Sequence, residues 1–308
     1  MLHTMNQPSH QIKLGLKQLL LSGVSVIGEL PLPEPLRNWI CGRVCPKLLD
    51  ERLISSELIP RPLKGLDVTI LCNPYQFPHR APYWFGQLHE TELDMYLRRE
   101  LSQGDTVIDV GCNVGHVTMM AAALVGPQGH VYSFDPQLNM AEITETHCKR
   151  QNLDQVKVFP IGLSTEEGEF ELQINPNQLG RTTLRDVNAE NGGEDAKFTQ
   201  TATATIKVGN DILSPLTYSG RTFLKVDVEG HEPQVLQGMS KVLKEHVDHA
   251  VLEVTPEWLG GAAGIRDLLT LMADHGLQHH HMMKNGRVGP PIDPDTVTEQ
   301  IDAVFVRE

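Results

Sequence analysis

Basic residues are scarce in this chain of 308: 26 Lys and Arg stand against 39 Asp and Glu, a formal net charge of −13. A broad cationic surface for phosphate backbones needs the opposite balance, so nucleic acid is not the expected partner. Cysteine is sparse as well. The five present (Cys41, Cys45, Cys72, Cys112, Cys148) are odd in number and form no CxxC pair, which excludes a disulfide framework and a zinc ribbon and suits a reducing cytoplasm. No apolar run approaches the ~20 residues that span a bilayer, so no transmembrane segment is expected. Leu19 to Ile27 has the length of a secretory h-region, but few basic residues precede it, and Glu29 and Pro31 interrupt the chain directly after it.

What is present describes a globular protein: 40% apolar and 21% charged residues, with 26 Gly and 20 Pro spread along the chain. Residues 1–65 hold helical patches interrupted by Pro31, Pro33, Pro35, Pro46, Pro60 and Pro62, and read as a helical and irregular N-terminal cap. Its first patch, Ile12, Leu16, Leu19 and Leu20, is amphipathic. We take it to pack on the main domain; peripheral contact with a membrane surface is the alternative. Residues 66–308 then read as the principal domain, with its motifs between 104 and 255 and an insertion at 164–205.

After a short strand at Leu66–Cys72 and a helix within His89–Leu101, β-rich runs alternate with helical patterns. TVIDVG leads to a helix through Met120, HVYSFDP to a helix through Arg150, and VKVFPIGL forms one more strand. Such alternation specifies parallel βαβ units, hence an α/β fold with a sheet covered on both faces. The insertion breaks the rhythm with strands at EEGEFELQI and TATATIKV around a polar loop at 186–196. Beyond it come TFLKVDVEG, a helix from Pro233 to His246, HAVLEV, a helix from Ala263 to His275 and a last strand at Ala303–Val306.

The most informative segment is Val107-Ile108-Asp109-Val110-Gly111-Cys112-Asn113-Val114-Gly115, an apolar strand entering a glycine-bearing turn before a helix. Glycines at 111 and 115 let backbone approach a ligand, and Asn113 is of a type that tolerates a left-handed conformation. A dinucleotide fingerprint starting at Gly111 needs glycine at 113 and 116, where this chain has Asn113 and His116. That disfavours a nicotinamide-dependent oxidoreductase. The pattern resembles instead the D-x-G-x-N-x-G turn of S-adenosylmethionine-dependent methyltransferases.

Asp135, in Phe134-Asp135-Pro136, places a carboxylate at the end of the next strand, where its oxygens can accept both hydroxyls of a ribose. Taken alone it fits a helix N-cap equally well. A third cluster, Phe223-Leu224-Lys225-Val226-Asp227-Val228-Glu229-Gly230-His231-Glu232, runs from a buried strand into a polar turn. Read as extended chain, Asp227, Glu229 and His231 share one face. His231 is the first candidate for general base because an imidazole titrates near neutrality, though it also fits a plain helix entrance.

The turn at 109–115, FDP at 134–136, FLKVDVEGHE at 223–232 and VLEV at 251–254 together resemble the FkbM family of S-adenosylmethionine-dependent methyltransferases. The resemblance implies a Rossmann-like class I methyltransferase fold, doubly wound around a mostly parallel seven-stranded sheet with an antiparallel last strand. It implies O-methylation of a sugar, polyketide or other secondary metabolite, with S-adenosyl-L-methionine as cofactor and a small-molecule or glycan hydroxyl as acceptor. By position, Asp109, Gly111, Asn113 and Gly115 border the methionine end, Asp135 the ribose and Gly162 the adenine. Asp227, Glu229 and His231 lie beside the acceptor. Mg²⁺ is an open alternative as activator, with Asp227, Glu229 and Glu253 as its ligands. Two positions depart from the family pattern: Cys112 where alanine is common, and Asp135 where glutamate is. A non-catalytic cofactor-binding scaffold stays open, and neither the acceptor nor the oligomeric state is legible.

Overall fold

The structure, a computed structural model, describes residues 58–73, 79, 82–83, 85–175, 182–184 and 198–308. The amphipathic patch at 12–20, Cys41, Cys45 and the loop at 186–196 lie outside the described residues, as does most of the cap. The chain divides into two compact units, Met1–His89 and Glu90–Glu308.

In the first unit β1 (Ile59–Pro62) pairs antiparallel with β2 (Thr69–Cys72), Ile59 opposite Cys72. The turn between them is closed by the Leu63 N–H donating to the Val68 carbonyl, and the Arg61 guanidinium lies 4.2 Å from the Tyr83 ring centre. The strand expected from Leu66 thus begins three residues later, where the turn ends.

The second unit opens with α1 (Thr91–Glu100) and is built on β3 (Thr106–Val110), α2 (His116–Val125), β4 (His130–Phe134), α3 (Leu138–Arg150) and β5 (Val156–Phe159). After the insertion come α4 (Gly209–Leu213), β10 (Thr222–Val226), α5 (Glu232–Gly238), α6 (Ser240–Glu245), β11 (Val247–Val254), α7 (Pro256–Leu259), α8 (Ala262–Asp274), β12 (Leu277–His281) and β13 (Ile301–Arg307). The seven-stranded sheet has the order β12-β13-β11-β10-β3-β4-β5. From β11 through β5 every pairing is parallel; β13 runs antiparallel to both β11 and β12. All five residues of β3 and of β10 are buried, the signature of strands covered on both faces and the reason their sequences show no alternation. Ile108, Tyr132, Phe134, Leu224, Leu236, Leu252 and Phe305 belong to one core, and Phe134 stacks on Phe159 at 4.7 Å. Each large side chain so buried contributes about 1.5–3 kcal/mol.

Within 164–205 the insertion forms most of a second sheet of order β6-β9-β7-β8, from β6 (Gly162–Ser164), β7 (Gly168–Ile174), β8 (Thr182–Thr183) and β9 (Gln200–Val208). VKVFPIGL, expected as one strand, therefore divides at Pro160 between the two sheets. The helix expected over 233–246 is likewise two, because the chain turns at Met239 (φ −113°). Among the described residues no helix is long and apolar enough to cross a membrane.

The sheet order reverses direction between β3 and β10: the connections from β3 step outward to β4 and β5, and the chain then returns to lay β10 on the other side. At such a point the crossover helices leave on opposite faces and a crevice opens beyond the strands' carboxyl ends, where ligands of open α/β sheets bind.

Candidate functional site

The crevice is bordered first by the turn that ends β3. Asp109 is 1% exposed, and its Oδ2 accepts from the Thr118 hydroxyl of α2 at 2.6 Å. Burial pushes its carboxyl up to about 6, against the lowering effect of that hydrogen bond. The N–H groups of Gly111 and Cys112 both donate to the Phe134 carbonyl at 2.9 Å, which welds the turn to the end of β4. Asn113 is left-handed (φ 51°), and its Oδ1 accepts from the Val114 N–H at 2.7 Å. Gly115 (φ 81°) then caps α2.

The two glycines are also required by the packing of the chain itself. A Cβ on Gly111 would lie 1.9 Å from the Asp227 carbonyl oxygen, and one on Gly115 would lie 2.6 Å from Thr144 Cγ2. The space freed is taken by the chain itself: Gly111 lets β10 deliver Asp227 beside the turn, and Gly115 lets α3 close on it.

Asp135 is 4% exposed. Its Oδ2 accepts from the Asn113 N–H at 2.8 Å and its Oδ1 from the Gln137 N–H at 2.9 Å. Burial raises its carboxyl to about 7, with those two donors pulling it down. Asp135 is not the N-cap of α3, a position held by Gln137 without a side-chain cap bond; it stands two residues earlier, and each of its oxygens retains a lone pair. Gly162 meets this corner: a Cβ on it would lie 3.4 Å from Pro136 Cβ and 2.6 Å from Ile206 Cδ1.

Asp227, Glu229 and His231 come after β10, but not along extended chain. Glu229 (φ 54°) and Gly230 (φ 97°) are left-handed and fold the segment into a tight turn. Glu232, 2% exposed, holds that turn closed, its Oε1 accepting from the N–H groups of Val228 at 3.1 Å and Gly230 at 3.2 Å. The sequence pattern alone gave Glu232 no role in closing this turn. His231 Nε2 lies 3.0 Å from the Ser164 hydroxyl, and burial lowers its pKa. The insertion sheet reaches the same turn a second time, through the Thr183 hydroxyl, which donates to the Glu229 carbonyl at 2.7 Å.

Lys225 is a further participant that sequence reasoning passed over. It lies opposite Asp109 in the β3–β10 register, and its Nζ is 3.2 Å from Asp227 Oδ2 and 3.9 Å from Glu90 Oε1. Burial alone lowers such an ammonium, but Asp227, Glu90, Asp302 and Glu253 together hold it well above the ordinary lysine range. Glu253 stands opposite Asp302 on β13, and burial together with the Asp227 charge raises its carboxyl strongly. Burial also pushes Glu90 up to about 7. The crevice wall is thus a row of carboxylates around one cation. Among the described residues no three His, Cys, Asp or Glu side chains are arranged to hold a metal ion, so Asp227, Glu229 and Glu253 do not assemble as a ligand set.

At this end of the sheet two buried side-chain atoms lack any hydrogen-bond partner among the described residues: Gln137 Nε2, just beyond the end of β4, and Thr255 Oγ1, just beyond the end of β11. Both lie at carboxyl ends of parallel strands.

This order, a parallel sheet reversing at β3 with a final antiparallel strand inserted next to β11, is that of a class I methyltransferase. A family model described as the Methyltransferase FkbM domain matches residues 109–278, more than half of the chain, and the chain belongs to that family. It is 26% identical over 170 residues to the hexuronic acid methyltransferase AglP of Haloferax volcanii, covering 54% of this chain and 62% of that protein. It is 26% identical over 159 residues to methyltransferase 1 of Beauveria bassiana, covering 48% and 64%. The chain thus spans under two thirds of the length of these relatives. A crystal structure of methyltransferase FkbM from Methylobacillus flagellatus superposes with a TM-score of 0.42 at 11% identity, over 74% of this chain and 54% of that one.

Proposed function

We propose that the chain is an S-adenosylmethionine-dependent O-methyltransferase acting on a hydroxyl of a sugar, polyketide or related small molecule or glycan. The observation that carries this reading is the Asn113 N–H bond to Asp135, which joins the glycine turn of β3 to the acid of β4, next to the point where the sheet reverses between β3 and β10. The residues there suit a nucleoside with a charged amino-acid tail. Asp135 keeps lone pairs for hydroxyl donors, and Gln137 Nε2 is a buried donor without an acceptor among the described residues. The relative named for hexuronic acid supports a sugar acceptor.

When bound, S-adenosylmethionine supplies a methyl group on a sulfonium, so holding an acceptor oxygen in line is a large part of the catalysis. Asp109, Gly111, Asn113 and Gly115 border the methionine end, Asp135 the ribose and Gly162 the adenine side. His231, kept neutral at pH 7 by burial, takes the acceptor's hydroxyl proton on Nδ1, while Ser164 holds Nε2 and so fixes the ring. Asp227 and Glu229 orient the acceptor. The insertion sheet borders the same turn through Ser164 and Thr183 and is the part of this unit in which acceptor choice resides.

The test is incubation of the full chain with methyl-labelled S-adenosylmethionine and a panel of sugars, uronic acids and polyketide alcohols, read by mass spectrometry. Label on a hydroxyl oxygen supports the reading; label on a carboxylate, nitrogen or carbon replaces it. Parallel calorimetry with NAD separates the oxidoreductase alternative, and transfer to any acceptor disposes of the scaffold one.

A further inference from the structure

Just beyond the end of β4, Gln137 uses both of its backbone groups, the carbonyl accepting from the Met140 and Ala141 N–H groups, but leaves its side-chain Nε2 unpaired. Its backbone N–H donates to Asp135 Oδ1 at 2.9 Å, while its side chain, 8% exposed, buries an Nε2 that meets no acceptor among the described residues. A buried donor left unpaired is costly, so this one stands ready for an acceptor on a bound molecule. Solvent was within reach: the next residue, Leu138, is 59% exposed, yet the glutamine folds inward and the leucine outward. That is the reverse of what apolar burial favours.

Asp135 explains what the partner is. Its short carboxylate is drawn onto the turn, each oxygen already accepting one backbone N–H. The remaining lone pairs can accept hydroxyl protons, but a carboxylate donates nothing. A ribose diol presents two O–H donors and two oxygens that themselves accept. The acid satisfies the donors, and the oxygens need an N–H. Gln137 supplies two, on an arm whose backbone N–H is 2.9 Å from that same carboxylate.

We propose that the Gln137 side-chain amide donates to a ribose hydroxyl oxygen of S-adenosylmethionine, so that the nucleoside is gripped by an acceptor, Asp135, and a donor, Gln137, two residues apart. This inference rests on the proposed binding of that cofactor in the crevice. It makes Gln137 a residue of cofactor binding rather than of methyl transfer.

The experiment is calorimetric titration of the full chain and of Gln137→Met and Gln137→Glu with S-adenosylhomocysteine and with its 2′,3′-dideoxyribose analogue, alongside thermal melts without ligand. Methionine keeps the reach and removes the donors. It is expected to weaken S-adenosylhomocysteine binding about 10-fold, or ~1.4 kcal/mol. It should leave the dideoxy analogue's affinity unchanged and keep or raise the melting temperature, because the unpaired group is gone. Gln137→Glu should weaken the ribose ligand further, since it sets a second acceptor beside the first. Unchanged affinity in Gln137→Met, or an equal loss for both ligands, overturns the proposal. If the unaltered chain fails to bind S-adenosylhomocysteine, the cofactor reading itself falls, a result separate from either of these.

Discussion

The Asn113 N–H donates to the Asp135 carboxylate at 2.8 Å, and this bond ties the glycine turn after β3 to the acid after the neighbouring strand β4. Removing the acid orphans the N–H groups of both Asn113 and Gln137. Bonds to a charged acceptor are worth about 1.5–3 kcal/mol each. Asp135→Ala should therefore lower S-adenosylhomocysteine affinity at least ~10-fold in calorimetry and lower the melting temperature as well. Unaltered affinity would place the nucleoside elsewhere.

Gly111→Ala is expected to be among the most damaging single-methyl additions in the chain. It sets a Cβ 1.9 Å from the Asp227 carbonyl at a φ of 88°, so both the turn and the start of the 227–232 segment must shift. Backbone strain and overpacking together cost more than ~3 kcal/mol. Chemical denaturation measures the loss; a change within experimental scatter would contradict the close approach of the two strands.

His231→Ala should reduce kcat by about 10²–10⁴-fold, the usual worth of a general base, with S-adenosylhomocysteine affinity preserved. Ser164→Ala should reduce it less, since the ring loses only its anchor at 3.0 Å. Turnover unchanged in His231→Ala assigns proton removal to another group.

Two carboxyls raised by burial, Asp109 to about 6 and Asp135 to about 7, contribute to the pH dependence of stability, opposed by the lowered imidazoles of His231, His249 and His279. Because the native values of the two carboxyls exceed the unfolded ones, near ~4, the folded state binds their protons more tightly. Their contribution is full below about pH 4 and is lost as pH rises through 6 to 7. Compared with the unaltered chain, Asp109→Asn should lose the part of the melting-temperature change between pH 4 and 6 that this acid contributes. An identical pH profile of melting temperature in Asp109→Asn and the unaltered chain would contradict the burial of that acid.

Lys225→Met removes the cation facing Asp227, Glu90, Asp302 and Glu253. Breaking a buried pair while leaving its anions costs about 3–5 kcal/mol, toward the lower end here because Asp227 is 29% exposed. Equilibrium unfolding checks this, and a second substitution, Asp227→Asn, should recover part of the loss.

Much of this architecture was legible in the sequence because buried parallel strands write themselves as short apolar runs such as TVIDV and TFLKV, each ending at a polar turn. Asp135 was found for the same reason: a strand's end locates an acid without knowledge of its partners. What escaped depends on contacts between distant segments. Glu232 looks like any acid at a helix start, and only the fold shows its carboxylate holding two backbone N–H groups. The DVEGH stretch alternates like a strand, and nothing in its composition announces a left-handed glutamate. The helix break at Met239 has a similar origin, since Gly238 lies so close to Ser164 that a Cβ would be 1.9 Å from its carbonyl oxygen. Lys225 was hidden inside an apolar run, its charge meaningful only once the neighbouring strands supplied the acids.

The most direct test of the cofactor crevice is a crystal structure of the full chain soaked with S-adenosylhomocysteine. The ribose hydroxyls are predicted to lie within hydrogen-bonding distance of Asp135 and the homocysteine tail along the Asp109–Gly115 turn. Electron density for the ligand away from the carboxyl ends of β3 and β4, or side chains filling that crevice, would contradict it.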